Sequence, residues 1–253
     1  MQHPTIQALS TDAERGEPTE PTLGELVTAT PAAARVLERH GLDYCCGGGA
    51  TLAEASSAAG IDPQVVRDEL AALDSGPAPD WASMGPGELT DHLVATHHAY
   101  LHRELPRLAS LAAKVASVHG ERHPELAEVR RTYDALHADL SPHLFKEERV
   151  LFPAVHELEA ATSMPWFPFG TTSGPISMML MEHDRAGELL ERLRDLTGGY
   201  QVPEDGCASY RALYDGLAEL EADTHLHVHK ENNLLFPMVQ RMERSLADPV
   251  ATA

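Results

Sequence analysis

The stretches HLFKEERVLFP, from His143 to Pro153, and HVHKENNLLFP, from His227 to Pro237, decide the fold of this chain. Each opens on a histidine, places a glutamate four residues on and closes with Leu-Phe-Pro. In an α-helix, side chains four apart share a face. Each stretch therefore aims an imidazole and a carboxylate in one direction, a turn apart. Two further histidines, His98 and His183, stand upstream of the two stretches at nearly equal separations. The pattern is an internal repeat: two helical hairpins, each giving one histidine from its first helix and His-x-x-x-Glu from its second.

Outward from these residues, apolar positions recur in alternating steps of four and three. The first segment carries Val94, His98, Leu101, Leu105, Leu108 and Ala112. The second carries Val129, Tyr133, Leu136, Leu140, His143, Glu147, Val150 and Ala154. The third carries Ile176, Met179, His183, Ala186, Leu190 and Leu193, and the fourth Leu213, Leu217, Leu220, Thr224, His227, Glu231, Leu234 and Met238. Four such seams predict an all-α fold with an antiparallel four-helix bundle over 88–245.

Six ionisable residues lie on these seams, and burying them unpaired costs roughly several kcal/mol each. A lone histidine on an apolar stripe is usually a hydrogen-bonded core residue. Six polar positions at matched spacing have no such packing explanation. Four imidazoles and two carboxylates converging at mid-bundle suit a pair of metal ions, the carboxylates bridging and the imidazoles capping. The nitrogen and oxygen donors suit iron, with zinc and manganese chemically open. His92, His97, His102, His225 and His229 fall off the seams and are expected at the surface or behind the ligands. His225 and His229 compete with His227 for the register, and the match to His143 and Glu147 selects His227.

Upstream of the bundle, the Pro/Gly/Ser-rich segment from Asp74 to Gly87 reads as a linker, placed at 76–87. Before it, 18–75 reads as a small domain of short helices. Thr22 with Glu25 and Thr51 with Glu54 have capping-box spacing. Thr30 and Pro31 read as N-cap and first helical residue, Gly41 as a stop, and Asp62 with Pro63 as another start. Its longest irregular segment, DYCCGGG, holds Cys45 and Cys46. Cα atoms across one trans peptide lie about 3.8 Å apart, less than a disulfide usually spans. The pair is therefore read as reduced thiols. The helix starting near Thr51 favours thiolate, while a tight glycine turn with buried thiols is the plainer alternative. Cys207 is read as structural. The ends, 1–17 and 246–253, read as tails.

Apolar residues make up 43% of the chain but aromatics only 5%, which favours helices over sheets. A net charge of −20 argues against nucleic acid and anionic membrane as partners. There is no run of 18 apolar residues and no signal-peptide pattern. Together with the reduced thiols, this leads to the expectation of a cytoplasmic protein, monomer or homodimer.

At this point the chain resembles a known family. The bundle is similar to a hemerythrin-type HHE cation-binding domain. The segment LGELVTATPAAARVLERHGLDYCCGGGATL resembles the small domain that accompanies it in the iron–sulfur cluster repair di-iron proteins. The resemblance covers about residue 20 to 243. It implies two iron ions in a non-haem, carboxylate-bridged centre on His98, His143, Glu147, His183, His227 and Glu231. It also implies a role in restoring clusters damaged by oxidative or nitrosative stress, with damaged iron–sulfur proteins as clients and nitric oxide or oxygen as small-molecule ligands. Whether the centre also reduces nitric oxide or scavenges oxidants is left open. A hemerythrin-like oxygen or nitric oxide carrier or sensor without repair activity is the alternative, but a carrier has no evident need for the YCCGG segment. Cys45 and Cys46 are expected to take part in transferring iron or a ligand.

Three features depart from a plain bundle. Pro142 removes a backbone bond to the Ala138 carbonyl, and the expected kink either aims His143 or is merely tolerated. Glu182 stands beside His183, where it either supports a ligand from behind or is solvated. Trp166, Phe167 and Phe169 are expected to cap one end of the bundle, a partner surface being the alternative.

Overall fold

The computed structural model describes residues 20–73 and 79–247. The expected tails, apart from residues 246 and 247, and part of the expected linker fall outside them. Among the described residues the structure is helical, without strands.

The small domain comprises α1 (Leu23–Ala29), α2 (Ala33–Arg39), α3 (Leu52–Ala59) and α4 (Pro63–Ala71). Both capping boxes form: the Thr22 and Thr51 hydroxyls accept from the backbone of Glu25 and Glu54, whose carboxylates accept in return. Each such cap is worth about 1 kcal/mol. Asp62 caps α4 by accepting from the Gln64 amide. Thr30 departs from expectation. It ends α1, its N–H bonded to the Leu26 carbonyl, and α2 begins only at Ala33. The Thr-Pro pair is a turn between two helices, because Thr30 is still held by the helix before it. Leu23, Val27, Val36, Leu37 and Leu52 make this domain's core.

The bundle comes next, as α5 (Pro86–Leu93), α6 (Ala99–His119), α7 (Leu126–Lys146), α8 (Phe152–Ala160), α9 (Ser173–Leu196), α10 (Ala208–Lys230) and α11 (Phe236–Ala247). Its four arms are α5–α6, α7–α8, α9 and α10–α11. Around the ring, α6 packs on α7 and α10, and α7 and α10 both pack on α9. Pro142 sits on the exposed side of α7, inside a helix that continues through it.

Three of the arms are interrupted by a π turn: Val94–His98, Glu147–Leu151 and Glu231–Leu235. A π turn inserts one extra residue and rotates the helix beyond it, commonly at functional sites. This corrects the seam at two positions. Val94 and Val150 are exposed, and Leu93 and Leu151 take the core places instead. The extra residue also lets neighbours such as His97 and His98 both face inward.

Two apolar clusters fill the bundle. One contains Leu101, Leu136, Leu190 and Leu217, the other Leu93, Leu151, Met179 and Leu235. The six predicted ligands form a polar layer between them. Phe167 and Phe169 stack at 5.1 Å and join the second cluster, whereas Trp166 is 82% exposed and caps nothing.

The small domain is seated on α10. Val228 enters its apolar core, and the Thr28 hydroxyl meets His229 Nε2 at 3.2 Å. No helix of the described residues is long and apolar enough to cross a membrane.

Candidate metal centre

Each π turn adjoins the residues whose aim matters most. Glu147 and Glu231 are the first residues of two of them and are fully buried. His98, His143, His183 and His227 are buried to within 2% of full burial. All six predicted residues come together in two overlapping groups. His98 and His227 stand with Glu147 and Glu231 in one; His143 and His183 stand with the same two carboxylates in the other.

Nitrogen–oxygen separations are 3.4 Å from His98 to Glu147, and 3.2 Å for His143–Glu147, His183–Glu231 and His227–Glu231. Donors sharing one ion at bonds of about 2.1 Å lie about 3.0–3.4 Å apart. Yet Nε2 of His98 and His227, and both oxygens of each glutamate, complete no hydrogen bond. Such orphaned buried atoms each cost about 1–3 kcal/mol. His143 and His183 turn their Nε2 atoms to within 3.2 Å of each other, and the remaining donors stand around common points without a partner, as two ions with shared carboxylates would require. The residues present fit such a pair.

Electrostatics agree. Burial and the facing Glu231 push Glu147 up, but His143 and His98 outweigh them and hold its carboxyl below the usual range. Burial likewise opposes ionisation of Glu231, and His227 and His183 hold it down. Two buried carboxylates are thus kept as anions by imidazoles, and they demand positive charge.

Behind the donors, other groups fix ring orientation. His98 Nδ1 lies 3.0 Å from Glu148, His143 Nδ1 2.8 Å from Glu182, and His183 Nδ1 2.8 Å from Asn232 Oδ1. Each turns Nε2 into the cluster, the usual arrangement behind a metal-bound histidine. Glu182, half-buried, also pairs with Lys146.

The fold and this cluster agree with the comparisons. Residues 89–239 match the hemerythrin HHE cation binding domain, and residues 19–74 match ScdA_N, a domain of unknown function (DUF542). The chain is 38% identical over 216 residues to the iron-sulfur cluster repair protein YtfE of Escherichia coli O157:H7, covering 85% of this chain and 94% of that one. It is 37% identical, with the same coverage, to the YtfE proteins of Shigella boydii serotype 4 and of Escherichia coli strain K12 / DH10B. The chain belongs to the hemerythrin HHE family.

Within this HHE domain, two histidines expected at the surface or behind the ligands are deeply buried. His97 stacks on His227 at 5.3 Å with rings 2° from parallel. Lys230 Nζ lies 2.8 Å from His97 Nε2, and an ammonium can only donate. His97 Nδ1–H therefore donates to Asp223, at 2.9 Å. Burial brings His97 down to about 4, so it is a neutral wall of the site. His229 is held outside the cluster, between Thr28, Tyr44 and Asn233, and burial brings it to about 4 as well. Seam reading missed Lys230, Asn232 and Asn233. The only sequence signal for them was position, within two residues of Glu231.

Both free-thiol readings also change. Cys45 is buried, and the adjacent Cys46 thiol, burial and Asp43 all push its thiol up, so the helix start does not make it a thiolate. Cys207, read as structural, is exposed at the start of α10, with His119 Nε2 3.2 Å from its sulfur. His119 brings it down to about 7, and the backbone amide of Tyr210 adds to this.

Proposed function

We propose that this chain holds two irons in a carboxylate-bridged, non-haem centre on His98, His143, Glu147, His183, His227 and Glu231. Its function is the repair of iron–sulfur clusters damaged by oxidative or nitrosative stress, with damaged iron–sulfur proteins as clients. The observation that carries this is the set of orphaned buried donors, in a chain that aligns along most of its length with repair proteins. Bound iron would supply redox chemistry and exchangeable positions for nitric oxide or oxygen.

The chain's own residues supply the rest. Glu147 and Glu231 hold both positions, while Glu148, Glu182 and Asn232 orient imidazoles. Cys45 and Cys46 act in passing iron, or a diatomic ligand, onward. Asp43, Cys45 and Cys46 each offer a donor atom within 4.8 Å of the others. They border a cavity of about 510 Å³ that Asp184, Glu188 and Glu191 also line, an acidic approach suited to a ferrous cargo.

The test is reactivation of a nitric-oxide-damaged [4Fe–4S] hydro-lyase by iron-loaded protein, with nitric oxide consumption assayed separately. Reactivation should follow the iron carried. Replacing both Cys45 and Cys46 with serine should leave iron content intact and lower reactivation. Loaded protein that reactivates nothing would overturn the repair reading.

Uptake of iron should also release protons. Burial alone would lower the His143 imidazole, but the Glu147 carboxylate raises it to about 9. At pH 7 the metal-free ring is therefore protonated, and a metal must displace that proton. Apparent iron affinity should rise about tenfold per pH unit between about 7 and 9, with a matching proton release in weakly buffered titrations. Affinity independent of pH across that window would show that the metal-free His143 ring is already neutral at pH 7.

A further inference from the structure

The two repeats differ immediately after their glutamates. Where the first reads Glu147-Glu148-Arg149, the second reads Glu231-Asn232-Asn233. In the first, Glu148 accepts from His98 Nδ1 at 3.0 Å and sits close to His102 Nε2, at 2.8 Å. A carboxylate that only accepts suffices there. In the second, Asn232 does the equivalent job for His183, at 2.8 Å, and does something more.

Proton placement follows from the chemistry. If His183 Nε2 faces a metal it carries no proton, so Nδ1–H donates and the Asn232 oxygen accepts. That orientation turns Nδ2 the other way, toward the Cys45 carbonyl at 3.3 Å and the Cys46 sulfur at 3.9 Å. Asn233 reinforces the contact, donating to the Cys45 carbonyl at 3.0 Å and the Tyr44 carbonyl at 3.3 Å. Room for Asn233 exists only because its neighbours are glycines. A Cβ on Gly48 would lie 2.5 Å from the Asn233 oxygen, and one on Gly24 2.9 Å. A glutamate at 232 could still orient His183 but could donate nothing to the cysteine loop. The change from carboxylate to amide occurs on the one arm against which that loop is seated.

We infer that Asn232 is a positioning residue that couples the metal centre to the Cys45–Cys46 loop, through a single amide shared by the His183 ring and the loop. The inference rests on His183 being a metal donor. With a metal on Nε2, the Nδ1–H is a stronger donor and pins the amide, which keeps Nδ2 against the loop and holds its hydrogen bond on the sulfur of the exposed Cys46, lowering the sulfur's nucleophilicity. Without the metal, the amide is free to leave it. The thiol's reactivity thereby reports whether the centre is loaded, and the Asn232 tether loosens when iron departs while Asn233 still holds the loop.

The experiment measures alkylation of Cys46 by iodoacetamide, followed by mass spectrometry, in full-length Cys207→Ser protein. Iron-free and iron(II)-loaded forms are compared under anaerobic conditions, with iron content determined first. Loading should slow Cys46 alkylation about threefold or more, the size of effect one hydrogen bond supports. Asn232→Asp keeps the acceptor for His183 and loses the donor, so it should retain iron yet lose the dependence on loading. Asn232→Leu loses both and should bind iron more weakly. A background protein that takes up no iron overturns the metal-centre reading and the coupling with it. One that loads iron while Cys46 reacts at the same rate in both forms overturns the coupling alone. So does an iron-replete Asn232→Asp protein with the parental dependence.

Discussion

Replacing either Glu147 or Glu231 with alanine is expected to empty the whole centre, whereas His98→Ala should impair chiefly one of its two positions. Each glutamate belongs to both donor groups, while each histidine belongs to one. On the proposed two-iron reading, removing a carboxylate would take a donor from both ions and one of the two anions that would balance their charge. Iron content should fall from the proposed two per chain to well below one, and Glu147→Gln, which keeps the shape but not the charge, should behave similarly. Stability should fall as well. A ligand present at about a thousand times its dissociation constant stabilises the folded state by about 4 kcal/mol. Thermal unfolding of the as-isolated variants should show that contribution missing. His123→Ala makes a suitable control, since His123 pairs with Asp205 and Glu125, away from the cluster. Metal analysis showing two irons in Glu147→Ala would mean that the carboxylates do not bridge.

The second large effect is expected at Gly48. A side chain there would collide with the backbone carbonyl of Tyr44 and with the Asn233 amide, neither of which can yield without loosening the seat of the small domain. Overpacking of this kind costs about 1–3 kcal/mol. Gly48→Val should therefore raise the population in which the loop is lifted from α10 by about ten- to a hundredfold. Cys45, 8% exposed in the seated form, reports it directly. Its alkylation should be slow in the parent and accelerate by a similar factor in the variant, with iron content little changed. A variant whose Cys45 stays as protected as in the parent would show that the loop does not depend on this contact. The same measurement bears on how the small domain acts. Read as a linker, 76–87 would allow free excursions, but Asp80–Ser83 forms a helical turn with Trp81 in the bundle core, Pro86 and Gly87 belong to α5, and the seated arrangement places the cysteines one amide away from His183.

How much of this was legible in the chain depends on the range of the interaction concerned. The capping boxes at Thr22 and Thr51 could be read because cap and partner are three residues apart. The pairing of His143 with Glu147, and of His227 with Glu231, could be read because helix period alone sets a shared face. The repeat of that pattern brought His98 and His183 into the same set, and all six lie together in the folded chain. Val94 and Val150 were misplaced because a regular period has no place for a π turn, whose extra residue is stabilised by what the turn faces. Thr30 was misread because a Thr-Pro pair looks the same whether it opens one helix or closes another.

The remaining features belong to tertiary structure alone. His97 became buried against His227 because a π turn swings it inward and Lys230 reaches it from another arm, 133 residues away. His229 was drawn out of contention as a ligand by Thr28 and Tyr44 of the small domain. Cys45 lost the benefit of a nearby helix start because the seated loop buries it beside Cys46 and Asp43. Asn232 acquired its second partner only once the cysteine loop came to rest on α10. The sequence by itself determined most of the helices and the six polar positions of the layer between the apolar clusters, four from spacing within one helical turn and two from the repeat of the hairpin pattern. Which buried histidines stay neutral, which thiol is covered and how the cysteines reach the centre were decided by contacts between segments far apart in the chain, where burial and hydrogen bonding outweigh any local preference.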